Sequence, residues 1–301
     1  MPKLILFDCA IATHKSIFNR GQTIKLIKEG KLPKNTFCPP TSYIYMGMII
    51  SALKKVGVAH DDMIIFGLED KSWRKDICAT YKAQRKEYRD SFEHINWKEQ
   101  YEEINKINEQ LNQSTPFYFI RIPKCEFDDI ASVSCRFFKD KDIVIVSGDS
   151  DLEQLCYYPN VKIFSLWQKY KGVKGAYKEV KNPLKIIHDK VTKGDIGDNI
   201  LIDKNNDTPE DAQLWKDLVS LLELPDFIEN PVLEVLQTIG PKTYDESKLP
   251  FPNSLAKKFY DIYDPIHTIT FDDMLAYQEG KEKRKKNKVK KEREAKKVSL
   301  R

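Results

Sequence analysis

Four short apolar runs mark the first half of the chain: Lys3-Leu4-Ile5-Leu6-Phe7, Asp62-Met63-Ile64-Ile65-Phe66-Gly67, Phe117 to Ile122, and Ile143-Val144-Ile145-Val146. The last has no polar interruption, which is the pattern of a strand buried on both faces of a parallel sheet rather than one with a wet side. Between and after these runs the apolar spacing becomes helical. Residues 97, 101, 104, 107 and 111 fall on one helical face, and Ile130, Ala131, Val133 and Phe137 on another. Pro209 to Leu224 reads as a helix with Thr208 as its N-cap, proline at the first position and acids in the first turn. Stretches 254–263 and from Phe271 onward are further helical candidates. Strands alternating with helices predict an α/β fold with a twisted, mostly parallel central sheet flanked by helices.

Acidic residues follow each of these strands. Asp8 closes the first, Leu68-Glu69-Asp70 follows the second, Glu126-Phe127-Asp128-Asp129 follows the third, and Ser147-Gly148-Asp149-Ser150-Asp151-Leu152 ends the fourth. A fifth acidic segment, Lys193-Gly194-Asp195-Ile196-Gly197-Asp198-Asn199, lies downstream. Taken singly, Glu126, Asp128 and Asp129 suit the first turn of a helix, where the dipole favours negative charge, and the Gly-Asp segment suits a turn. Taken together they converge on the carboxyl ends of the strands, where open α/β sheets bind ligands. Carboxylates held that close repel one another and call for a divalent cation.

The order of these acids resembles that of the flap-endonuclease and 5′ nuclease family, whose nuclease fold is related to PIN domains. The resemblance runs from Lys3 to about Ile200. Trp73-Arg74-Lys75-Asp76 ahead of Tyr81-Lys82-x-x-Arg85, and Tyr158-Pro159-Asn160-Val161-Lys162, bring it nearest to the T-even bacteriophage RNase H type. It implies a catalytic domain over 1–200 with a helical arch or clamp over 71–115, a helical duplex-binding region over 201–275 and a basic tail over 276–301. It also implies a structure-specific 5′-3′ exonuclease and flap endonuclease that removes primers or flaps in phage replication or repair. The expected metal residues are Asp8, Asp70, Glu126, Asp128, Asp129, Asp149, Asp151, Asp195 and Asp198. The family spacing reaches Asp70 through a gap, and Glu69 stands beside it. Two Mg²⁺ ions, about 3.5 to 4 Å apart and replaceable by Mn²⁺, would activate water and stabilise the leaving oxygen. Oxygen ligands suit these hard ions, and none of the five histidines falls in the acidic segments.

Lys82 and Arg85 match the family's basic pair and are expected to stabilise the transition-state phosphate. Arg74, Lys75, Tyr81, Lys86 and Arg89 are expected to bind substrate: DNA with a 5′ flap, a nick or an RNA primer. Past Ile200 the family's Gly-rich hairpin does not continue directly. Thr238-Ile239-Gly240-Pro241-Lys242-Thr243 resembles half of one, displaced. Rival readings weigh less. A haloacid-dehalogenase-type phosphatase needs an acid two residues after Asp8, where this chain has Ala10. A PIN-type endoribonuclease seldom carries a long basic arch, and a non-catalytic nucleic-acid-binding protein would more often have lost an acid.

Composition narrows the setting. The chain has 301 residues, long enough for a full α/β core and a smaller appendage. Its 6 cysteines have neither CxxC nor finger spacing, so they read as reduced thiols. No run reaches transmembrane length, and the N-terminus enters a strand directly, so a monomer off the membrane, in the cytoplasm or a phage host's cytoplasm, is expected. The overall charge of +5 hides an asymmetry: Lys281 to Arg301 carries 12 basic residues and 3 acidic ones, leaving the first 280 residues at −4. Such a tail suits sequence-blind attraction to phosphates; a docking role toward a polymerase clamp or single-strand-binding protein is the alternative. Removing residues 281–301 is expected to weaken DNA binding and flatten the slope of log affinity against log salt. An unchanged slope favours partner docking.

Overall fold

The computed structural model describes residues 2–59, 61–170, 173–203, 207–240 and 242. The strands are β1 (Leu4–Asp8), β2 (Met63–Leu68), β3 (Tyr118–Arg121), β4 (Ile143–Ser147), β5 (Val161–Tyr170) and β6 (Val173–Lys178). They form one sheet in the order β3-β2-β1-β4-β5-β6, in which β6 alone runs antiparallel to its neighbour. The chain steps outward from β1 to β3, then returns to lay β4 on the other side of β1. The reversal of direction between β1 and β4 opens a crevice at their carboxyl ends.

Side-chain alternation divides the core in two. Ile5, Phe7, Ile64, Phe66, Val144 and Val146 face one side, beneath α1 (Cys9–Lys28), α2 (Thr41–Val56) and α5 (Trp97–Ser114). Leu4, Leu6, Ile65, Ile143 and Ile145 face the other, against α6 (Phe127–Phe137) and α9 (Asp226–Gln237). With helices on both faces each central strand must be apolar throughout, which is why these strands were legible as unbroken runs. At the end of β2 the packing is closest. Gly67 lies beside Asp8 in register, and a Cβ there would come within 2.2 Å of the Phe127 ring.

The structure redraws the expected arch. Between β2 and β3 lie α3 (Arg74–Ile77), α4 (Gln84–Asp90) and then α5. A parallel pair needs a crossover element, and α5 is that element. It is bound to the body through Tyr45 OH donating to Asn108 Oδ1 at 2.9 Å and Ser42 N donating to Glu103 Oε1 at 2.8 Å. Residues 97–114 thus form the crossover helix, and its Trp97 and Tyr101 also line the cavity that the segment before it covers. The helix expected from Pro209 is α8 (Pro209–Val219): Asp211 N donates to Thr208 Oγ1 at 3.2 Å and Thr208 N to Asp211 Oδ2 at 2.9 Å. α9, which the sequence pattern did not single out, packs Ile228, Val232 and Leu236 into the core beside α6, so this stretch of 201–275 belongs to the main body. The β5–β6 pair was likewise not anticipated. The 254–263 and 271-onward helices, Pro241 and Thr243 of the displaced hairpin, and the basic tail lie outside the described residues. Among those described, no helix is long and apolar enough to cross a membrane.

Gly67→Ala is expected to cost about 1 to 3 kcal/mol, because the Phe127 ring must leave its place. Gly47, inside α2 with nothing within 4 Å of a Cβ, is its control: Gly47→Ala should be neutral or stabilising by up to about 1 kcal/mol. Urea midpoints of the two variants check both.

A candidate metal centre at the strand ends

Asp8 is both the last residue of β1 and the N-cap of α1. Its Oδ1 accepts from Ala10 N at 2.9 Å, and its Oδ2 accepts from the Ser147 hydroxyl at 2.6 Å. Ser147 ends β4, so that hydrogen bond closes the mouth of the β1–β4 crevice with both groups buried. The Ser147 oxygen in turn accepts from Asp149 N at 3.0 Å, and Asp149 Oδ1 accepts from Asp151 N at 2.9 Å. This chain of local hydrogen bonds turns β4 into a 3-10 helix, Asp151–Tyr157, and fans its two aspartates outward.

The acids gather in two adjoining groups. Asp8, Glu69, Asp128 and Asp149 line one open cavity of about 490 Å³, together with Lys82 and Arg85. Asp151, Asp195 and Asp198 form the second group, each offering an oxygen within 4.8 Å of the others. Burial pushes the Asp8 carboxyl up to about 6, with Asp149 adding to the effect. Desolvation by the cavity walls, then Asp8 and Glu126, carry Glu69 up to about 7, although it keeps a solvent-facing surface in the cavity. Asp151 rises to about 6 through burial and Asp149, and Asp128 rises for the same two reasons. In all four, burial is the leading cause and a neighbouring acid adds to it, while Lys190 opposes the rise at Asp151.

Other acids have protein counter-ions. Glu126, the N-cap of α6, is opposed by burial but held down at about 2 by Lys82 and Arg74. Lys82 Nζ donates to its Oε1 at 2.7 Å; Ser72 Oγ and Arg74 Nη1 reach its Oε2 at 2.6 and 3.3 Å. Lys82 also lies 3.8 Å from Asp198 Oδ1, and Arg85 lies 3.0 Å from the same oxygen. The Lys82 backbone is in the left-handed region at φ 52, and its N–H donates to Asp198 O at 3.0 Å. Gln84 Nε2 binds the carbonyls of Ile196 and Gly197, so the segment after β2 fastens the Gly-Asp loop.

Four expected residues sit elsewhere. Asp70 turns away from the cavity that holds Asp8: its Oδ2 accepts from Lys124 N at 3.0 Å, while Glu69 takes the place among the acids that the sequence reading gave to Asp70. Asp129 is fully buried with its carboxylate spent on protein donors, Arg74 at 2.9 Å and Glu126 N at 2.9 Å, so it stands as the counter-ion of Arg74. Arg74, expected on substrate, is 2 % exposed and also donates to Leu218 O at 2.8 Å. Tyr81 is likewise core, packed with Ile200, Leu218 and Val219. Lys75, Lys86 and Arg89 do line a larger cavity of about 940 Å³ that is also walled by Lys82, Arg85 and Glu126, with Tyr88, Phe92 and Trp97 among its aromatic residues. The sequence reading passed over His14, Lys15 and Lys190. The first two lie about two turns along α1 from Asp8, which brings them back to the cavity.

Residues 3–185 match the model of a family described as 5′-3′ exonuclease, N-terminal resolvase-like domain. The chain is 29% identical over 154 residues to a Ribonuclease H of Enterobacteria phage T4, covering 50% of this chain and 48% of that protein. It is 32% identical over 123 residues to a 5′-3′ exonuclease of Mycoplasmopsis pulmonis (strain UAB CTIP), covering 40% and 38%. It thus spans less than half the length of each of these curated relatives. Among solved structures, a T5 5′-exonuclease with bound zinc aligns over 88% of this chain and 100% of its own, at 15% identity and a TM-score of 0.44. A bacteriophage T5 flap endonuclease in a pseudo-enzyme-product complex with DNA and metal ions aligns over 88% and 90%, at 17% identity and 0.45.

The raised Asp8 carboxyl makes a signed prediction. Its folded-state value, about 6, lies above the model-peptide value of 3.8, so folding favours the protonated form and the penalty for ionising it grows as pH rises from about 4 to about 6. Asp8→Asn keeps the cap and carries no charge. In chelator at pH 7.5 it is expected to stabilise the protein by about 2 to 3 kcal/mol, and at pH 4 by little. Urea unfolding at the two pH values checks it; a gain independent of pH would mean that charge is not the cause.

Proposed function

Because this chain belongs to the 5′-3′ exonuclease family through its N-terminal resolvase-like domain, we propose that it is a divalent-metal-dependent 5′-3′ exonuclease and flap endonuclease, hydrolysing phosphodiesters in DNA and RNA–DNA hybrids. The observation that carries the reading is the pair of adjoining acidic groups at the β1–β4 crevice, facing Lys82 and Arg85. The donor set is all carboxylate, and Asp8, Glu69, Asp128 and Asp151 are raised by burial and by neighbouring acids; both fit hard divalent ions such as Mg²⁺, with Mn²⁺ as a substitute. Two such ions supply an activated water and a counter-charge to the leaving oxygen.

The chain's own residues do the rest. Asp8, Glu69, Asp128 and Asp149, which line one cavity, would hold the first ion once drawn together, and Asp151, Asp195 and Asp198, whose oxygens already lie within 4.8 Å of one another, the second. Asp8 is held in place at the end of the first strand by hydrogen bonds from Ser147 and the Ala10 amide. Glu126 stays ionised and positions Lys82, which with Arg85 sets positive charge in the cavity beside the acids, where it would meet a scissile phosphate. The aromatic and basic wall formed by Lys75, Lys86, Arg89, Tyr88, Phe92 and Trp97 suits a single-stranded 5′ end, bases against rings and phosphates against cations. The substrate is accordingly DNA with a 5′ flap, a nick or an RNA primer, as arises in replication and repair.

End-labelled flap, RNA–DNA hybrid and single-stranded substrates, each with Mg²⁺ and with chelator, test this. Cleavage should require the ion and release products from the 5′ side. Asp149→Asn should abolish cleavage with the fold and DNA binding intact. Arg85→Ala should lower turnover by the equivalent of about 2 to 4 kcal/mol with a smaller change in KM. Cleavage that survives chelation, or full activity in Asp149→Asn, would overturn the proposal.

A further inference from the structure

Lys190 lies near the end of α7 (Lys185–Lys193), five residues ahead of Asp195. Its ammonium stands inside the second acidic group, 2.5 Å from Asp151 Oδ2, 3.3 Å from Asp198 Oδ2 and in contact with Asp195 Oδ2. The three acids offer oxygens within 4.8 Å of one another, room for one cation, and the ammonium is in it. Lys82 and Arg85 pair with Asp198 alone of these three. The geometry points to Lys190 as a built-in counter-ion that holds the second-ion position until a divalent cation displaces it. This rests on the metal reading above and adds a term to it: an incoming ion must first turn out a resident charge.

Elementary electrostatics gives the consequence. An ammonium and a divalent ion repel at such separations and cannot share the same three oxygens. Without a divalent ion, Lys190 neutralises part of a cluster that would otherwise destabilise the fold; with one, its contacts with all three carboxylates are lost. The second position therefore binds more weakly than its ligands alone would allow. If Lys190 occupies it roughly nine times in ten, the apparent affinity falls about tenfold. Of the cations lining the first group's cavity, Lys82 is engaged by Glu126 and Arg85 by Asp198, so neither is seated among Asp8, Glu69, Asp128 and Asp149 as Lys190 is among the second group. Unequal affinities for the two ions follow from the chain itself.

The test is a Mn²⁺ titration followed by electron paramagnetic resonance on the full chain without nucleic acid, with melting temperatures in chelator and in Mn²⁺. Lys190→Met keeps the aliphatic stem without the charge, and Lys190→Gln is a second variant should the first fold poorly. Both should bind the weaker ion about tenfold more tightly, melt lower in chelator and gain more from Mn²⁺ than the unaltered protein. Lys193→Ala, on the same helix but paired with Asp189, should change none of these. Weaker-ion affinity unchanged or reduced in the Lys190 variants overturns the counter-ion proposal while leaving the metal reading in place. Absence of Mn²⁺ binding in every protein overturns both.

Discussion

One hydroxyl, shared by two strand ends, sets the geometry at the top of the sheet. Ser147 donates to Asp8 across the β1–β4 crevice and accepts from the backbone of Asp149, so the acid of the first strand and those of the fourth are positioned by a single oxygen. Around that fixed point the chain collects more negative charge than it can neutralise. Arg74 balances Asp129 and part of Glu126, Lys82 the rest of Glu126, and Lys190 the second acidic group. Asp8, Glu69, Asp128 and Asp149 share one cavity, where Asp149 adds to the raised carboxyls of Asp8 and Asp128, and Asp8 to that of Glu69. The fold tolerates the cluster because the core beneath it is apolar on both faces of the sheet and carries the stability that the crevice gives up.

The segment between β2 and α5 ties the front of the site to its back. Arg74 binds the α6 acids and the Leu218 carbonyl at the end of α8, while Gln84, Arg85 and Lys82 bind the Gly-Asp loop. One short stretch thus spans three parts of the chain that are distant in sequence, and a shift in it moves Glu126, Asp198 and the basic side chains together. The buried Arg74 carries particular weight, since removing it would leave Asp129 as a buried charge without its partner.

Much of this is legible in the amino-acid sequence alone. Unbroken apolar runs gave the four parallel strands, because a sheet covered on both faces leaves no polar alternation to confuse the pattern. Acids at successive strand ends gave the crevice, because topology carries them there whatever their detailed contacts. Side-chain direction was harder to read. Glu69 and Asp70 are adjacent, and only the turn after β2 decides which of them faces Asp8. Arg74 and Tyr81 looked like substrate residues in a basic, aromatic stretch; their burial depends on Leu218 and Val219, more than a hundred residues away. Lys190 carried no signal at all, since an ion pair made by folding back from a helix has no spacing rule. The β5–β6 pair was hidden because one of its strands lies at the sheet edge, where the demand for an apolar run relaxes.

Lys82 shows two selective pressures pulling apart. Its backbone adopts φ 52, a conformation that glycine enters freely and lysine does not. Conformational preference alone would drive the position toward glycine or asparagine, and substituting either would relax the main chain while deleting the ammonium that Glu126 holds. Retaining a long cationic side chain there runs against local propensity, so the position records what the side chain is for. Drift at residue 82 toward a turn-forming residue would be a sign that a descendant has kept the architecture and let the chemistry go.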